Sequence, residues 1–186
     1  LSPEAGEEER SVFDEYTAHV LAEMTVSEPR LKLAADAANG MSTLYQPILE
    51  QLNVELVPLY FELDGTFPNH EANPLKEENL RDVERAVAEQ RCHLGVAFDG
   101  DADRAILIDD TGNFISADKL TGLLAPRFLR EEAGATIVYD LRSSWATKEA
   151  IEEAGGVPLR ERVGHSFMKA TMRKHNSPFG GELAGH

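Results

Sequence analysis

Two similar segments constrain the fold of this chain more than any other feature of its sequence. Residues 33–60 and residues 137–163 each contain an apolar strand that ends in aspartate, a polar turn, a helix, and a second strand that opens with valine. We interpret them as a weak internal repeat of one α/β unit. Alternating strands and helices favour parallel sheets with helices on both faces. The sequence therefore predicts an α/β protein with two three-layer α/β/α domains and mixed, mostly parallel sheets.

Hydrophobic periodicity gives the approximate positions of the helices and strands. Strands are predicted at 31–35, 54–61, 94–98, 105–108, 114–115, 136–141 and 157–163, and helices at 4–24, 41–52, 75–90, 119–132 and 147–154. Asp64–Pro74 holds several turn signals, so we expect an irregular connection there. The repeat places a domain boundary near Asn113, with one domain at 1–113 and a second at 114–186, for which truncation is left open.

Composition limits the functions that this chain can have. Its 186 residues, 42% of them hydrophobic, are enough to bury a substantial core. The formal net charge of −15 argues against a nucleic-acid partner bound through a broad basic face. Because no apolar run approaches the ~18 residues of a membrane span, we expect no membrane partner and a cytoplasmic location. The single cysteine, Cys92, cannot form an internal disulfide.

The segment Asp99–Arg104, which reads DGDADR, carries three carboxylates at alternate positions directly after the predicted strand 94–98. Two carboxylates about 4 Å apart repel by roughly 4 kcal/mol at an effective dielectric near 20, so a folded loop needs a positive charge among them. Mg²⁺ prefers oxygen ligands and completes its shell with water or phosphate. Asp99, Asp101 and Asp103 are therefore candidate ligands of Mg²⁺. Beside a metal-bound phosphate, Arg104 would donate two parallel hydrogen bonds to phosphate oxygens.

Other interpretations of this carboxylate loop stay open. A solvated acidic turn needs no ligand at all. A calcium EF-hand accommodates the three aspartates, but it requires glycine where Arg104 stands and helices where strands are predicted, which argues against it. A phosphatase of the haloacid-dehalogenase type also begins with an apolar strand followed by D-x-D, but such enzymes have threonine or valine where this chain has Asp103.

A second group of candidate residues lies at Gly180–His186, which reads GGELAGH. Its glycines allow the backbone to approach a ligand closely. Glu182 can accept hydrogen bonds from vicinal hydroxyls, and His186 can donate to a phosphate or carry a proton. A glycine-rich turn that ends in histidine is more often structural than functional, so this segment alone does not identify a site.

Three segments taken together, GVAFDGDADR, the upstream DGTFPNHEANP and the terminal GGELAGH, resemble the phosphohexomutase superfamily in order and spacing. The phosphomannomutase/phosphoglucomutase group is the most similar. Members of the superfamily have four domains, and residues 1–113 and 114–186 resemble the second and third. The resemblance implies an intramolecular phosphotransferase of the isomerase class. Such an enzyme interconverts hexose 1-phosphate and hexose 6-phosphate, of mannose or glucose, through a phosphoserine and a bisphosphate intermediate.

The resemblance also implies a role for individual residues of this chain. Asp99, Asp101 and Asp103 correspond to the metal ligands that hold Mg²⁺. Arg104 and His186 correspond to catalytic residues, and the substrate-binding positions are Arg142, His165, Glu182 and Ala184. Ala184 stands where the family has serine, which leaves one hydrogen bond to the sugar open: either the sugar preference differs or water replaces the serine hydroxyl.

Further parts of the enzyme are expected outside this chain. In the family, the reactive serine lies on the first domain, and a fourth domain binds phosphate. We therefore expect the first and fourth domains, a hexose phosphate and a hexose bisphosphate as partners, and we expect no activity from the 186 residues alone. The alternative functions are a metal-binding or phosphate-binding module without activity, and a phosphatase of the haloacid-dehalogenase type.

Overall fold

The computed structural model describes residues 9–24, 26 and 28–186, which form two β-sheets with helices packed on them. The helices are α1 (Phe13–Glu23), α2 (Gln46–Leu49), α3 (Arg81–Gln90), α4 (Ala117–Glu131), α5 (Trp145–Glu153) and α6 (His165–His175). The strands are β1 (Leu31–Asp36), β2 (Val54–Leu59), β3 (Leu94–Phe98), β4 (Ala105–Ile108), β5 (Phe114–Ile115), β6 (Thr136–Asp140), β7 (Val157–Glu161) and β8 (Phe179–Gly181). Short 3-10 turns at Met41–Tyr45 and Glu77–Asn79 come before α2 and α3.

The first sheet has the strand order β2-β1-β3-β4-β5. β1 pairs in parallel with β2 and β3, whereas β4 runs antiparallel to β3 and β5 antiparallel to β4. Helix α3 covers this sheet with an apolar stripe of Val83 and Val87, which Leu80 extends just before the helix; all three residues are buried. Ile106 and Ile108 of β4 pack against the same stripe, so the core of the first half lies between α3 and the sheet.

The second sheet has the order β7-β6-β8, and all its pairings are parallel. Its core contains Ile137 and Tyr139 of β6, Ile151 of α5, and Ala125 and Leu129 of α4. Both halves thus contain a parallel β-α-β unit, as the internal repeat predicts. The predicted fold class, two α/β/α units with mixed or parallel sheets, is confirmed.

The position of the boundary between the two halves stays a prediction. Phe114 pairs with Ile108 and Ile115 with Leu107, so β5 belongs to the first sheet although it lies just beyond residue 113. The first sheet therefore runs through Ile115, and α4 of the second half begins at Ala117.

Two predicted helices are shorter than their apolar patterns suggest. The prediction of a helix at 41–52 is wrong in extent, because Pro47 has no N–H to donate and only a 3-10 turn and the single turn of α2 form. The helix predicted at 75–90 begins only at Arg81, because Asn79 donates from its side chain to the Asn73 carbonyl at 2.9 Å and closes a turn there. Helix α1 begins at Phe13, and residues 4–8 of the predicted helix lie outside the described residues.

Two elements near the end of the chain were not predicted. Helix α6 begins at His165 and ends at His175, and the next residue, Asn176, is in the left-handed conformation. Strand β8 has only three residues, two of them glycine, so it carries no periodic signal. A Cβ atom at Gly181 would lie 2.1 Å from Thr121 Oγ1, so only glycine allows β8 to pack this closely on α4.

The fold brings the carboxyl ends of parallel strands to the edges where sites form in open α/β sheets. The loops after β3 and β8 contain the two predicted groups of functional residues, at 99–104 and 182–186. Among the described residues, the structure contains no helix with the length and hydropathy to cross a membrane.

Candidate active site between the two sheets

The carboxylate loop is a tight turn at the end of β3. Asp99 is 2% exposed, whereas Asp101 and Asp103 are exposed to solvent. The turn closes when the Ala102 N–H donates to the Asp99 carbonyl at 3.2 Å, with Ala102 in the left-handed conformation at φ 64°. One carboxylate oxygen from each of the three aspartates lies within 4.8 Å of the others. This arrangement suits a small cation held by oxygen ligands.

Arg104 binds the carboxylate loop itself. Its Nε donates to Asp99 Oδ2 at 2.7 Å, and its backbone N–H donates to Asp99 Oδ1 at 3.2 Å. Burial raises the pKa of Asp99, but the hydrogen bonds and charge of Arg104 outweigh burial and bring this pKa below its ordinary value. Asp99 is therefore ionised at neutral pH. The contact of Arg104 with phosphate stays a prediction, because in this structure its Nε donates to Asp99 instead.

Glu182 is buried at the start of the terminal loop, which we define as residues 182–186. Its side chain is 2% exposed, and both of its oxygens have protein partners. Oε1 accepts from the Gly164 N–H at 2.6 Å, and Oε2 lies 3.0 Å from His186 Nδ1. Glu182 thus connects the start of α6 with the end of the chain. A sugar hydroxyl bound by Glu182, as predicted, would have to share an oxygen that already has Gly164 or His186 as its partner.

The carboxylate loop and the terminal loop meet across the two halves of the molecule. The Ala105 N–H donates to the Gly185 carbonyl at 3.1 Å, and His186 Nε2 lies 3.4 Å from Asp103 Oδ1. His186 is thus placed between Glu182 on one side and a candidate metal ligand on the other. The structure therefore joins two of the predicted groups of residues in one site.

Cationic and aromatic groups of α6 face the same site. The His165 ring centroid lies 5.6 Å from that of His186, and Lys169 Nζ lies 3.3 Å from His165 Nδ1. A cavity of about 70 Å³ opens beside these side chains and Glu182. The site therefore has carboxylates on one side and basic groups on the other, which suits a metal bound together with an anion. Lys169 was not predicted, because lysine on a surface helix carries no signal in one sequence.

Arg142 is folded back onto the end of its own strand. Its Nη2 and Nε donate to Asp140 Oδ2 at 2.8 and 3.2 Å. The same oxygen accepts from the Leu183 N–H of the terminal loop at 3.1 Å. Burial raises the pKa of Asp140, but the hydrogen bonds from Arg142 and Leu183 outweigh it and lower this pKa below its ordinary value. Arg142 is thus linked to the terminal loop through Asp140, and its contact with substrate stays a prediction.

Sequence reasoning found most of the chemical groups of the site but missed the residues that position them. The sequence pattern assigns no functional role to Asp140, the aspartate that ends the first strand of the second repeat, or to Gly164. The available signal was the aspartate that ends the first strand of each repeat. Ala184 lies half-buried within the terminal loop, and its methyl group offers no hydrogen bond.

Family models match both halves of the chain. Residues 14–112 match the model described as phosphoglucomutase/phosphomannomutase, alpha/beta/alpha domain II, and residues 116–186 match that of domain III. A phosphomannomutase of Vibrio cholerae serotype O1 is 38% identical over 183 residues, which cover 95% of this chain and 40% of the relative. The chain thus spans about 40% of the length of the relatives that it matches.

Solved structures are similar to the whole fold. The crystal structure of a phosphoglucomutase/phosphomannomutase family protein from Burkholderia thailandensis gives a TM-score of 0.92 at 36% identity, over 96% of this chain and 39% of that one. The N-acetylphosphoglucosamine mutase of Aspergillus fumigatus, in complex with GlcNAc-6P and magnesium, gives 0.63 at 15% identity, over 92% of this chain and 38% of that one. At this identity the second comparison supports the fold alone.

Proposed function

Because the chain belongs to the phosphoglucomutase/phosphomannomutase family, we propose that it forms the metal-binding and sugar-binding part of a hexose-phosphate mutase. Such an enzyme converts a hexose 1-phosphate into a hexose 6-phosphate, and the reverse, by moving a phosphoryl group. Similar proteins are named phosphomannomutases and phosphoglucomutases, and we propose mannose and glucose phosphates as the substrates for this chain.

The meeting of the two loops is the observation that supports this proposal most directly. Asp103 of the carboxylate loop lies 3.4 Å from His186 of the terminal loop, although the two loops follow strands of different sheets. Phosphoryl transfer depends mainly on positioning and charge neutralisation. A cation site next to basic side chains provides both for a phosphate group.

The donor set of the carboxylate loop fits Mg²⁺. Asp99, Asp101 and Asp103 offer hard oxygen ligands within 4.8 Å of one another, and the lowered pKa of Asp99 keeps the buried carboxylate ionised. We propose these three residues as the metal ligands. When bound, the ion supplies positive charge that neutralises the transferring phosphoryl group.

The remaining residues have proposed roles that follow from their partners. His186 places Nδ1 3.0 Å from Glu182 Oε2 and directs Nε2 toward the carboxylate loop, 3.4 Å from Asp103 Oδ1. From this position His186 can donate to a phosphate or exchange a proton with a sugar hydroxyl. Arg104 neutralises phosphate charge beside the metal. We propose Glu182, Ala184, His165 and Arg142 as the lining of the sugar-phosphate site.

Other domains would complete the enzyme. We propose that a reactive serine and a second phosphate site come from domains outside the 186 residues, since the chain spans about 40% of its relatives. The chain alone should therefore bind Mg²⁺ without turning over hexose phosphates. Measurable mutase activity of the 186-residue chain would contradict this part of the proposal.

An activity assay tests the proposed function. A polypeptide that joins this chain to the expected first and fourth domains is incubated with Mg²⁺, glucose 1,6-bisphosphate, and glucose 1-phosphate or mannose 1-phosphate. We expect the corresponding 6-phosphate as product. Free phosphate would indicate a phosphatase, and no reaction would indicate a binding module; either result would reject the mutase.

Asp101→Asn tests the metal ligands in the same assay. Losing several kcal/mol of charge stabilisation should lower kcat/KM by roughly 10²–10³-fold. Asp110→Asn, at an exposed aspartate outside the loop, is the matched control and should keep wild-type activity. Equal activity of the two variants would remove the carboxylate loop from the mechanism.

A further inference from the structure

A buried ion pair outside the proposed active site connects two segments of the first half. Asp36, the last residue of β1, is fully buried, and its Oδ2 lies 3.0 Å from Nε2 of His70. The His70 side chain is 13% exposed and belongs to the connection at 64–74. Its other ring nitrogen, Nδ1, lies 2.9 Å from the carbonyl oxygen of Glu71. Both nitrogens of this histidine therefore face oxygen atoms.

The surroundings of the ring determine its protonation. The Glu71 carbonyl and an ionised Asp36 carboxylate are acceptors only, so both contacts are hydrogen bonds only if both ring nitrogens carry a proton. His70 is then a positively charged imidazolium paired with a buried carboxylate. The hydrogen bond to Asp36 raises the pKa of His70 above its ordinary value, against the opposing effect of burial.

Asp36 uses its second oxygen to hold the turn that follows β1. Oδ1 accepts from the Ala38 N–H at 2.8 Å, and Ala38 and Asn39 both lie in the left-handed region, at φ 46° and 58°. Two consecutive non-glycine residues with positive φ are strained and persist only where the surroundings hold them. Asp36 is one of the groups that hold this turn.

This turn reaches the carboxylate loop directly. The Met41 N–H donates to the Gly100 carbonyl at 2.9 Å. Gly40 is packed so closely that a Cβ atom there would lie 2.7 Å from Gly100 oxygen. Gly100 is flanked by Asp99 and Asp101, two of the proposed metal ligands. The position of the turn at 37–40 thus determines where the backbone of the carboxylate loop can lie.

The connection that carries His70 lines the other side of the same glycine. A methyl group at Gly100 would lie 3.6 Å from both Ala72 Cβ and Phe67 Cζ. Gly100 is therefore enclosed between the turn after β1 and the connection at 64–74. The ion pair of Asp36 and His70 joins these two segments to each other.

We propose that His70, through its ion pair with Asp36, is a positioning residue that holds the carboxylate loop in the shape that binds a divalent cation. The charged and titratable groups that face His70 are Asp36 of β1, Tyr60 after β2, and Asp82 of α3, which accepts from the Tyr60 hydroxyl and pairs with Arg85. The metal-affinity part of this inference rests on the proposed function, whereas the coupling between His70 and the loop does not.

The first test follows the backbone of the 186-residue chain by NMR without any substitution. The Met41 amide donates to Gly100, so its chemical shift reports the contact between the turn and the carboxylate loop. In a pH titration, this shift should change with the same pKa as the His70 ring. A Met41 shift that stays constant while the His70 ring titrates would overturn the proposal.

The second test compares Mg²⁺ affinities by calorimetry at one pH near 6.5, where the His70 charge is present. His70→Gln should weaken binding about tenfold, the lower end of the effect of residues that support metal ligands. His175→Gln, at an exposed histidine of α6, is the matched control and should bind as the wild type does. Equal affinity of folded His70→Gln and wild type would overturn the proposal.

The two tests separate this inference from the proposed function. If the wild-type chain binds no Mg²⁺, the proposed metal site fails, and the NMR titration alone decides whether His70 holds the loop. If His70→Gln does not fold, the titration of the wild-type chain again decides.

Discussion

Each half of the molecule pairs a buried aspartate at the end of a strand with a cationic side chain, but the cation differs between the halves. In each half the first strand of the repeat ends in a fully buried aspartate, Asp36 or Asp140, which holds the loop that follows it. In the first half the cation is His70, which lies 34 residues away and loses its charge as the pH rises. In the second half it is Arg142, which is two residues away and stays charged. The comparison shows that one repeated unit can carry a titratable or a permanent ion pair at the same position.

The loops that these aspartates support also differ between the halves. Asp140 Oδ2 accepts directly from the Leu183 N–H of the terminal loop. Asp36 contacts the carboxylate loop only through the turn at 37–40, which abuts Gly100. A substitution of Asp140 should therefore displace the terminal loop more than a substitution of Asp36 displaces the carboxylate loop.

The largest effect on stability is expected from Asp140→Ala. This change leaves the buried N–H and hydroxyl of Ser143 without an acceptor, and it also removes the acceptor of the half-buried Leu183 N–H. The free energy of unfolding should fall by about 3–4 kcal/mol, because each buried donor left unsatisfied costs about 1–3 kcal/mol. Urea denaturation measures this, with Asp110→Ala at an exposed position as the control. A loss below about 1 kcal/mol would show that the second half does not depend on this carboxylate.

A smaller effect is expected where each half packs a glycine against a neighbour. Gly181→Ala places Cβ 2.1 Å from the Thr121 side chain, whereas Gly40→Ala places it 2.7 Å from the Gly100 backbone. Each change should cost about 2 kcal/mol through overpacking. Because only the first obstacle is a side chain, Thr121→Ala should recover part of the loss in Gly181→Ala. Thermal unfolding of the single and double variants measures this, and an absence of recovery would place the strain elsewhere.

The smallest effect tests the difference between the two cations. Because the folded pKa of His70 is raised, its contribution to stability is fully present below the unfolded pKa of about 6.5 and is lost as the pH rises through the folded pKa. His70→Gln should therefore cost about 1 kcal/mol near pH 6 and less near pH 9. The cost of Arg142→Gln should be the same at both pH values. Denaturant unfolding at the two pH values checks this; a pH-independent cost of His70→Gln would show that the imidazole is not charged in the fold.

The sequence predicted those elements whose pattern lies within a few neighbouring residues, and it missed those that depend on pairing with distant segments. The strands at 94–98, 105–108 and 114–115 were predicted within their observed limits because apolar runs and turn residues are local signals. Strand β8 was missed because its two glycines have no strand preference, and the element exists only through its pairing with β6. The helix at 41–52 was predicted too long because its apolar pattern is helical, whereas Pro47 has no N–H to continue the backbone hydrogen bonds.

The candidate site also has features that local sequence predicts and features that depend on contacts between distant segments. The alternate spacing of the three aspartates predicts a cation site without any tertiary information, and the oxygens do lie within 4.8 Å of one another. That spacing says nothing about the contact between Asp103 and His186, which lie 83 positions apart and follow strands of different sheets. It also could not predict that both oxygens of Glu182 are engaged, by Gly164 and His186.

Local sequence was enough to predict the alternation of strands and helices, the repeated unit, and the types of chemical group in each loop. These properties follow from side-chain polarity, periodicity and backbone preference over a few neighbouring residues. The cation that pairs with each buried aspartate, and the contact between the two functional loops, became visible only in the folded chain. Such contacts depend on the packing of segments that are distant in sequence, and a buried carboxylate accepts whichever donor the completed fold brings to it.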